Sequence, residues 1–188
     1  MSTPHDPAVA TIATLDSRTV YENRWMRVRE DRIRRASGAE GIYGVVEKPD
    51  FAVIAPIDAG RVHLVQQYRY PVSQRFWEFP QGSWEGQPDI DPTQLAIAEL
   101  REETGLVAGS MQMVGHLFAA YGYSTQGYNV FFASALSVAP TDARDAEEED
   151  LISRAFTLAE MEAMILAGEI KDATTVAVLG LLRMKGLI

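Results

Sequence analysis

A glycine-rich loop followed by a capped, acidic helix is the feature that most constrains this chain. The stretch 78–106 reads EFPQGSWEGQPDIDPTQLAIAELREETGL. Asp91 can accept free backbone N–H groups as the N-cap, Pro92 suits the first helical position, and Gln94 completes the pattern of a capping box. We therefore predict a helix that begins at Asp91-Pro92 and ends at Gly105.

Carboxylates crowd one side of this predicted helix. At about 100° per residue, Glu99, Glu102 and Glu103 fall within roughly 100° of one another. Carboxylates one helical turn apart repel each other, so this face calls for a compensating positive charge. Hard oxygen ligands beside an open glycine loop suit Mg²⁺ or Mn²⁺, which share their remaining positions with waters and substrate phosphates. By spacing alone, a solvated acidic face is the alternative.

Composition narrows the class of protein. The 188 residues carry a formal net charge of −9 and no cysteine. The negative net charge argues against nucleic-acid and anionic-membrane partners, because both bind positively charged surfaces. A small phosphorylated ligand remains compatible with it, because a bound divalent cation can reverse the local charge. The absence of cysteine excludes disulfides and thiolate chemistry. Because no membrane span or signal-peptide pattern is found, the predicted location is the cytoplasm.

The stretch 78–106 resembles the signature box of the Nudix hydrolases, G-x5-E-x7-R-E-U-x-E-E-x-G-U, in which U is aliphatic. Gly82 and the run AELREETGL at 98–106 carry the resemblance. It implies a site for Mg²⁺, with Mn²⁺ as a substitute. The implied ligands are the carboxylates of Glu99, Glu102 and Glu103 and the backbone carbonyl of Gln81, and the same Glu102 and Glu103 would thereby serve catalysis.

Two positions depart from the box. Ala98 stands where the family has an arginine that braces the glutamate cluster, and a loop two residues longer leaves Ile90 where the first family glutamate would align. These departures, together with Gln126 in a later loop, keep open a non-catalytic module that binds a nucleotide without cleaving it.

The segment before the box resembles the ADP-ribose and ADP-sugar pyrophosphatase branch of the family. QYRYPV at 67–72 and FWEFPQG at 76–82 carry this resemblance, which implies substrate contacts from Arg69 and Glu78. In that branch the loop after the box selects the substrate, so Tyr123 and Gln126 are further candidates. The letters FPQG also resemble enzymes that cleave dinucleoside polyphosphates or RNA 5′ ends, which is the alternative within the enzyme class.

An acidic run, RDAEEED, precedes the last predicted strand. Acidic runs are usually solvated loops. In the resembling branch, a loop at this point supplies a general base or a further metal ligand. Glu147, Glu148 and Glu149 are all eligible, and we rank Glu148 first.

The remaining pattern predicts an α/β fold. We expect a loose arm up to about Asp16, a small antiparallel β extension, and then the catalytic domain, which divides the chain into 1–47 and 48–188. Capping signals at Thr157 and Asp172, with a stop at Gly168 between them, predict two C-terminal helices. Packed against one face of a mixed sheet, with the box helix on the other, they give an α/β/α sandwich of the Nudix type. The thin β extension and the resembling branch also predict a homodimer.

Together these patterns predict Mg²⁺-dependent hydrolysis of a nucleoside diphosphate linked to a further group. ADP-ribose or an ADP-sugar is the leading substrate, and the products would be AMP and a sugar phosphate.

Overall fold

The computed structural model describes residues 11–84, 90–139 and 150–188. Within these ranges the chain divides into two compact units. The smaller comprises residues 11–49 with the loop Ala120–Gln126, and the larger runs from Asp50 to Ala119 and from Gly127 to Ile188. The boundary after residue 47 that we expect from sequence stays a prediction.

The smaller unit is an antiparallel sheet of β1 (Ile12–Glu22), β2 (Arg27–Arg35) and β3 (Glu40–Glu47), with β2 between its partners. The loop Ala120–Gln126 attaches to β3, because Val46 N–H donates to the Tyr123 carbonyl at 2.8 Å and Thr125 N–H donates to the Val46 carbonyl at 3.0 Å.

The expectation of a loose arm up to Asp16 is wrong from Ile12 onward. Ala13 lies opposite Arg34, and Thr14 lies opposite Ile33 of β2. The sequence at this end has no clear alternation of apolar and polar residues, so its own pattern does not indicate a strand. Hydrogen bonding to β2, a non-local interaction, makes it one.

The larger unit contains a mixed sheet with the strand order β10-β5-β4-β9-β8. Its strands are β4 (Phe51–Asp58), β5 (Arg61–Arg69), β6 (Gln74–Glu78), β7 (Gln81–Gly82), β8 (Leu106–Phe118), β9 (Gly127–Val138) and β10 (Ile152–Thr157). β6 pairs with β5, and the short β7 pairs with β4. Strands β4 and β9 run parallel, whereas the other neighbouring strands of the described sheet run antiparallel.

Helices cover both faces of this sheet. They are α1 (Pro92–Thr104), α2 (Leu158–Ala167) and α3 (Ala173–Met184). Alternate side chains of β4 point to opposite faces. Those on one face pack with α1, as Ala52 and Ile54 do with Leu95 and Leu100. Those on the other pack with α2 and α3, in a cluster that includes Val53, Ala55, Met161, Val178 and Leu182. The predicted α/β/α sandwich is confirmed.

The helix ends follow the sequence signals. Gly105 and Gly168 end α1 and α2 in the left-handed conformation, with φ of 69° and 75°. Thr157 and Glu160 form the predicted capping box of α2. At α1, Asp91 accepts from the N–H of Thr93, the second helical residue, rather than from the third, which a capping box uses. None of the described helices has both the length and the apolar character needed to cross a membrane.

Candidate active site

The segment between β6 and the glycine loop is held by backbone hydrogen bonds along its length. Phe79 N–H donates to the hydroxyl of Thr175 at 2.9 Å, and the Pro80 carbonyl accepts from Ile54 N–H at 2.9 Å. Gln81 then lies opposite Val53 in the pairing of β7 with β4. The main chain is therefore fixed where it passes the helix that carries the glutamates.

Gly82 lies directly against the carboxylate of Glu99. A Cβ atom at this position would overlap both carboxylate oxygens of Glu99, far inside the range of real contacts. Only glycine lets the backbone come so close to the carboxylate. Glu99 itself is 6% exposed, on the side of α1 that faces the sheet.

Glu103 lies one helical turn further along α1 and is 4% exposed. Its Oε2 accepts the backbone N–H of Gln81 at 2.9 Å. Glu102 lies between the two on the same helix and is half-buried. The fold thus places Gln81 against Glu103 and Gly82 against Glu99, and metal binding by these residues stays a prediction.

These residues fit a divalent cation by their chemistry. Buried carboxylates and a neighbouring main-chain carbonyl are the oxygen donors that Mg²⁺ and Mn²⁺ prefer, and burying such charges is costly without compensation. Within the described residues, however, no three or more acidic or histidine side chains converge on one point as a metal-binding group. The donor set that fits is accordingly a pair of buried carboxylates beside the backbone of the glycine loop.

A second feature of the segment is a two-point ion pair between Arg69 at the end of β5 and Glu78 at the end of β6. Arg69 Nε donates to Glu78 Oε2 at 3.2 Å, and Nη2 donates to Oε1 at 2.5 Å. The Glu78 side chain is 3% exposed and that of Arg69 is 39% exposed. Burial raises the pKa of Glu78, and the Arg69 guanidinium offsets part of that rise. The guanidinium is oriented by this pair, and its Nη1 edge is not used in it.

The predicted substrate residues of the later loop lie in the smaller unit. The Gln126 side-chain amide donates to the Pro49 carbonyl at 2.9 Å, so it braces the loop itself. Tyr123 is 60% exposed. Contact of either residue with substrate stays a prediction. Glu147, Glu148 and Glu149 lie outside the described residues.

Sequence reasoning missed the contacts of Thr175 and Arg75. Asp172 shows a local capping signal, but the bond of Thr175 to Phe79 joins residues 96 positions apart and has no local signature. Arg75 on β6 donates to the Asp150 carboxylate at 2.5 Å and to the Gln66 carbonyl at 3.1 Å. It thereby anchors Asp150, the last residue of the acidic run.

Comparison with known proteins agrees with this geometry. The family model of the NUDIX domain matches residues 47–178, and that of the nucleoside diphosphate sugar hydrolase N-terminal domain matches residues 12–46. The chain is 32% identical over 167 residues to an ADP-ribose pyrophosphatase of Mycobacterium tuberculosis. The matched residues cover 87% of this chain and 79% of the relative. The chain is also 25% identical over 174 residues to an ADP-ribose pyrophosphatase of Bacillus subtilis, with 92% of each protein covered.

A solved structure described as that of an ADP compounds hydrolase has the same fold. Its TM-score is 0.83 at 22% sequence identity, over 97% of this chain and 98% of the other. Nudix hydrolases generally use divalent metal ions, which agrees with the carboxylates gathered beside the glycine loop. Since the NUDIX model spans most of the chain and the box residues meet in the structure, this chain belongs to the Nudix family and is a Nudix pyrophosphohydrolase.

Proposed function

We propose that this enzyme hydrolyses the diphosphate bond of ADP-ribose or of an ADP-sugar, with Mg²⁺ as the preferred ion and Mn²⁺ as a substitute. The products would be AMP and a sugar phosphate. The observation that carries the proposal is the contact of buried Glu99 and Glu103 with the backbone of Gln81 and Gly82. The substrate class is supported by the relatives named ADP-ribose pyrophosphatase and by the N-terminal match to nucleoside diphosphate sugar hydrolases.

Glu99 and Glu103, with the carbonyl of Gln81, would hold the metal, and the half-buried Glu102 of the same helix is proposed as a further ligand that turns towards the bound ion. A divalent ion bound there neutralises diphosphate charge and makes a bound water more acidic. The protein contributes orientation: the bond from Gln81 N–H to Oε2 fixes the Glu103 carboxylate before any ligand arrives. Such preorganisation lowers the cost of reaching the reactive geometry.

Arg69 is proposed to position the diphosphate. Its guanidinium is held in place by Glu78 through Nε and Nη2, so its remaining edge can donate charge-assisted hydrogen bonds to phosphate oxygens. An arginine already oriented in this way loses less freedom when substrate binds than a fully mobile one.

A glutamate of the acidic run is proposed as the general base that removes the proton from the attacking water. Glu148 is our first choice, and Glu147 and Glu149 are the alternatives. The contact of Arg75 supports this role because it binds Asp150, the residue after Glu149, to β6. The proton would pass to a carboxylate, and no covalent enzyme intermediate is needed.

The direct test is product analysis with a panel of ADP-ribose, ADP-sugars, GDP-sugars, diadenosine polyphosphates and NADH, with and without Mg²⁺. We expect Mg²⁺-dependent release of AMP from ADP-ribose or an ADP-sugar. Preferred cleavage of diadenosine polyphosphates, or of RNA 5′ ends in a separate assay, would instead support the alternative enzyme class. Binding of ADP-ribose with no turnover of any compound would support a nucleotide-sensing module.

The metal role is tested by Glu103→Gln, with Glu169→Gln as the matched control at an exposed glutamate. We expect Glu103→Gln to lower kcat by about 100-fold or more, because an anionic ligand becomes neutral. An independent readout is thermal unfolding. At about 100 times its Kd, Mg²⁺ should raise the Tm of the native protein and of the control by roughly 5–10 °C. An equal rise in Glu103→Gln would contradict the assignment.

A further inference from the structure

We infer that Thr175, together with Asp172, is a positioning residue for the active-site segment 78–82. Both residues belong to the start of α3, about 70 positions beyond the end of the Nudix box. The functional meaning of the inference rests on the proposed function of that segment, but the contacts that carry it do not.

The Thr175 side chain joins two hydrogen bonds in a fully buried position. Its residue is 0% exposed. The hydroxyl donates to Asp172 Oδ2 at 2.7 Å and accepts from the N–H of Phe79 at 2.9 Å. A hydroxyl has a single proton, so donation to the carboxylate turns its lone pairs towards the backbone N–H.

Asp172 fixes that orientation because it is the N-cap of α3. Its carboxylate also accepts the backbone N–H groups of Thr174 at 3.3 Å and Thr175 at 2.8 Å. The hydroxyl of Thr175 is therefore held in a fixed position relative to the N-terminus of α3. The inner face of this helix, which includes Val178 and Leu182, packs in the main core.

Phe79 is the residue at which the backbone leaves one strand for another. Glu78 is the last residue of β6 paired with β5, opposite Val65, and Gln81 is the first of β7 paired with β4. Phe79 is 0% exposed. A buried N–H that lies between two strand pairings needs an acceptor, and Thr175 supplies it.

This bond lies between the functional groups on either side of it. Glu78, which orients Arg69, directly precedes Phe79. Gln81, which binds Glu103, follows two positions later. A displacement of the Phe79 backbone would therefore shift both the arginine pair and the Gln81 contact with the carboxylate, whereas the helix that carries Glu103 would stay in place.

The test compares Thr175→Val with Thr174→Val, the same change one residue earlier on the same helix. Thr175→Val keeps the shape and removes the hydroxyl, and Thr175→Ser restores the hydroxyl. Four quantities are measured on the whole protein: exchange of the Phe79 amide hydrogen, the Kd for Mn²⁺ without substrate, kcat and KM.

We expect Thr175→Val to accelerate exchange at Phe79, to weaken Mn²⁺ binding by about 10-fold or more, and to lower kcat more than it changes KM. Thr175→Ser and Thr174→Val should stay within about twofold of the native protein. A lower Tm for Thr175→Val with unchanged Mn²⁺ affinity and unchanged kcat would show a purely structural role and overturn the inference.

If Thr175→Val does not fold, Asp172→Asn takes its place. It keeps a capping oxygen but weakens the acceptor that orients the Thr175 hydroxyl. Weaker Mn²⁺ binding by this variant supports the inference, and native Mn²⁺ affinity overturns it. Because Mn²⁺ binding and amide exchange need no substrate, they decide the positioning role even if the substrate panel shows that the proposed substrate class is wrong.

Discussion

At Gly82 the backbone and a buried carboxylate occupy neighbouring space. Glycine is required here because a Cβ atom would overlap the Glu99 carboxylate. The backbone conformation does not require it, since Gly82 is not among the glycines with positive φ. The glycine of the family box thus has a steric reason that can be read directly from the structure.

Gly82→Ala should therefore damage the site without unfolding the protein. The added methyl group would push the Glu99 carboxylate away, and we expect kcat/KM to fall by roughly 100-fold, the size of effect that a displacement of about 1 Å in an active site produces. Gly180→Ala on α3 is the matched control, because a Cβ atom there meets nothing within 4 Å. Equal activity of the two variants would show that Glu99 tolerates displacement.

Glu78 illustrates how burial and pairing compete at one residue. Burial favours its neutral form, the Arg69 charge favours its ionised form, and Asp172 adds a smaller contribution that favours the neutral form. Burial prevails, so folding raises the pKa of Glu78 above its usual 4.5.

The sign of the pH effect follows from that direction. Between the unfolded pKa of 4.5 and the raised pKa of the folded state, Glu78 is protonated more often in the native than in the unfolded protein. Its contribution to the free energy of unfolding therefore falls as pH rises through this interval. We expect urea unfolding at a series of pH values above 4.5 to show native stability declining relative to Glu78→Gln as pH rises.

A matched control is Glu160→Gln. Hydrogen bonds from the Thr157 backbone and hydroxyl lower the pKa of Glu160, so its contribution changes below 4.5 and should be flat over the same range. A native stability that rises relative to Glu78→Gln over this range would contradict the direction given for Glu78.

Among the secondary-structure elements, α2 shows how a cap sets the start of a helix. In the capping box of α2, Thr157 Oγ1 accepts from Glu160 N–H at 3.1 Å, and Glu160 Oε2 accepts from Thr157 N–H at 2.6 Å. Thr157 is also the last residue of β10, so the strand passes into the helix without a connecting loop. The cap therefore sets the direction of α2 as well as its first residue.

Thr157→Ala should lower the free energy of unfolding by about 1 kcal/mol, the usual cost of a lost N-cap. Thr157→Ser retains the hydroxyl and should stay close to the native value. Chemical denaturation measures both variants. A loss in Thr157→Ser as large as that in Thr157→Ala would place the effect in the methyl group and its packing, not in the cap.

At the scale of the whole molecule, the smaller unit presents apolar side chains to solvent. Ile12, Val20, Tyr21 and Ile42 of its sheet are all exposed, Ile42 by 66%. A thin antiparallel sheet has little core of its own, and exposed apolar surface of this kind is typical of an interface. These features support the homodimer that we predict from sequence.

Sedimentation at micromolar concentration should therefore give twice the chain mass of 20.8 kDa. The physical reason is the burial of exposed apolar side chains of the smaller unit, so the dimer should persist at high salt. A monomer under these conditions would contradict the predicted homodimer.

Local sequence patterns are sufficient to predict the features that depend on near neighbours along the chain. The cap at Asp91, the stops at Gly105 and Gly168 and the capping box at Thr157 involve residues a few positions apart, so their side-chain chemistry suffices to locate them. The glutamates of α1 share a face for the same reason. The apolar run of β4 likewise indicated a core strand, and it is buried in the structure.

Contacts between distant segments, in contrast, are set by the packing of the complete fold. The pairing of Ile12–Glu22 with β2, the bond from Phe79 to Thr175 and the approach of Gly82 to Glu99 depend on sheet order and helix packing. Sequence reasoning places Arg69 and Glu78 near the site, but the register of β5 and β6 decides that they bind each other. Such contacts form because many weak packing interactions fix the whole fold, and no local pattern encodes them.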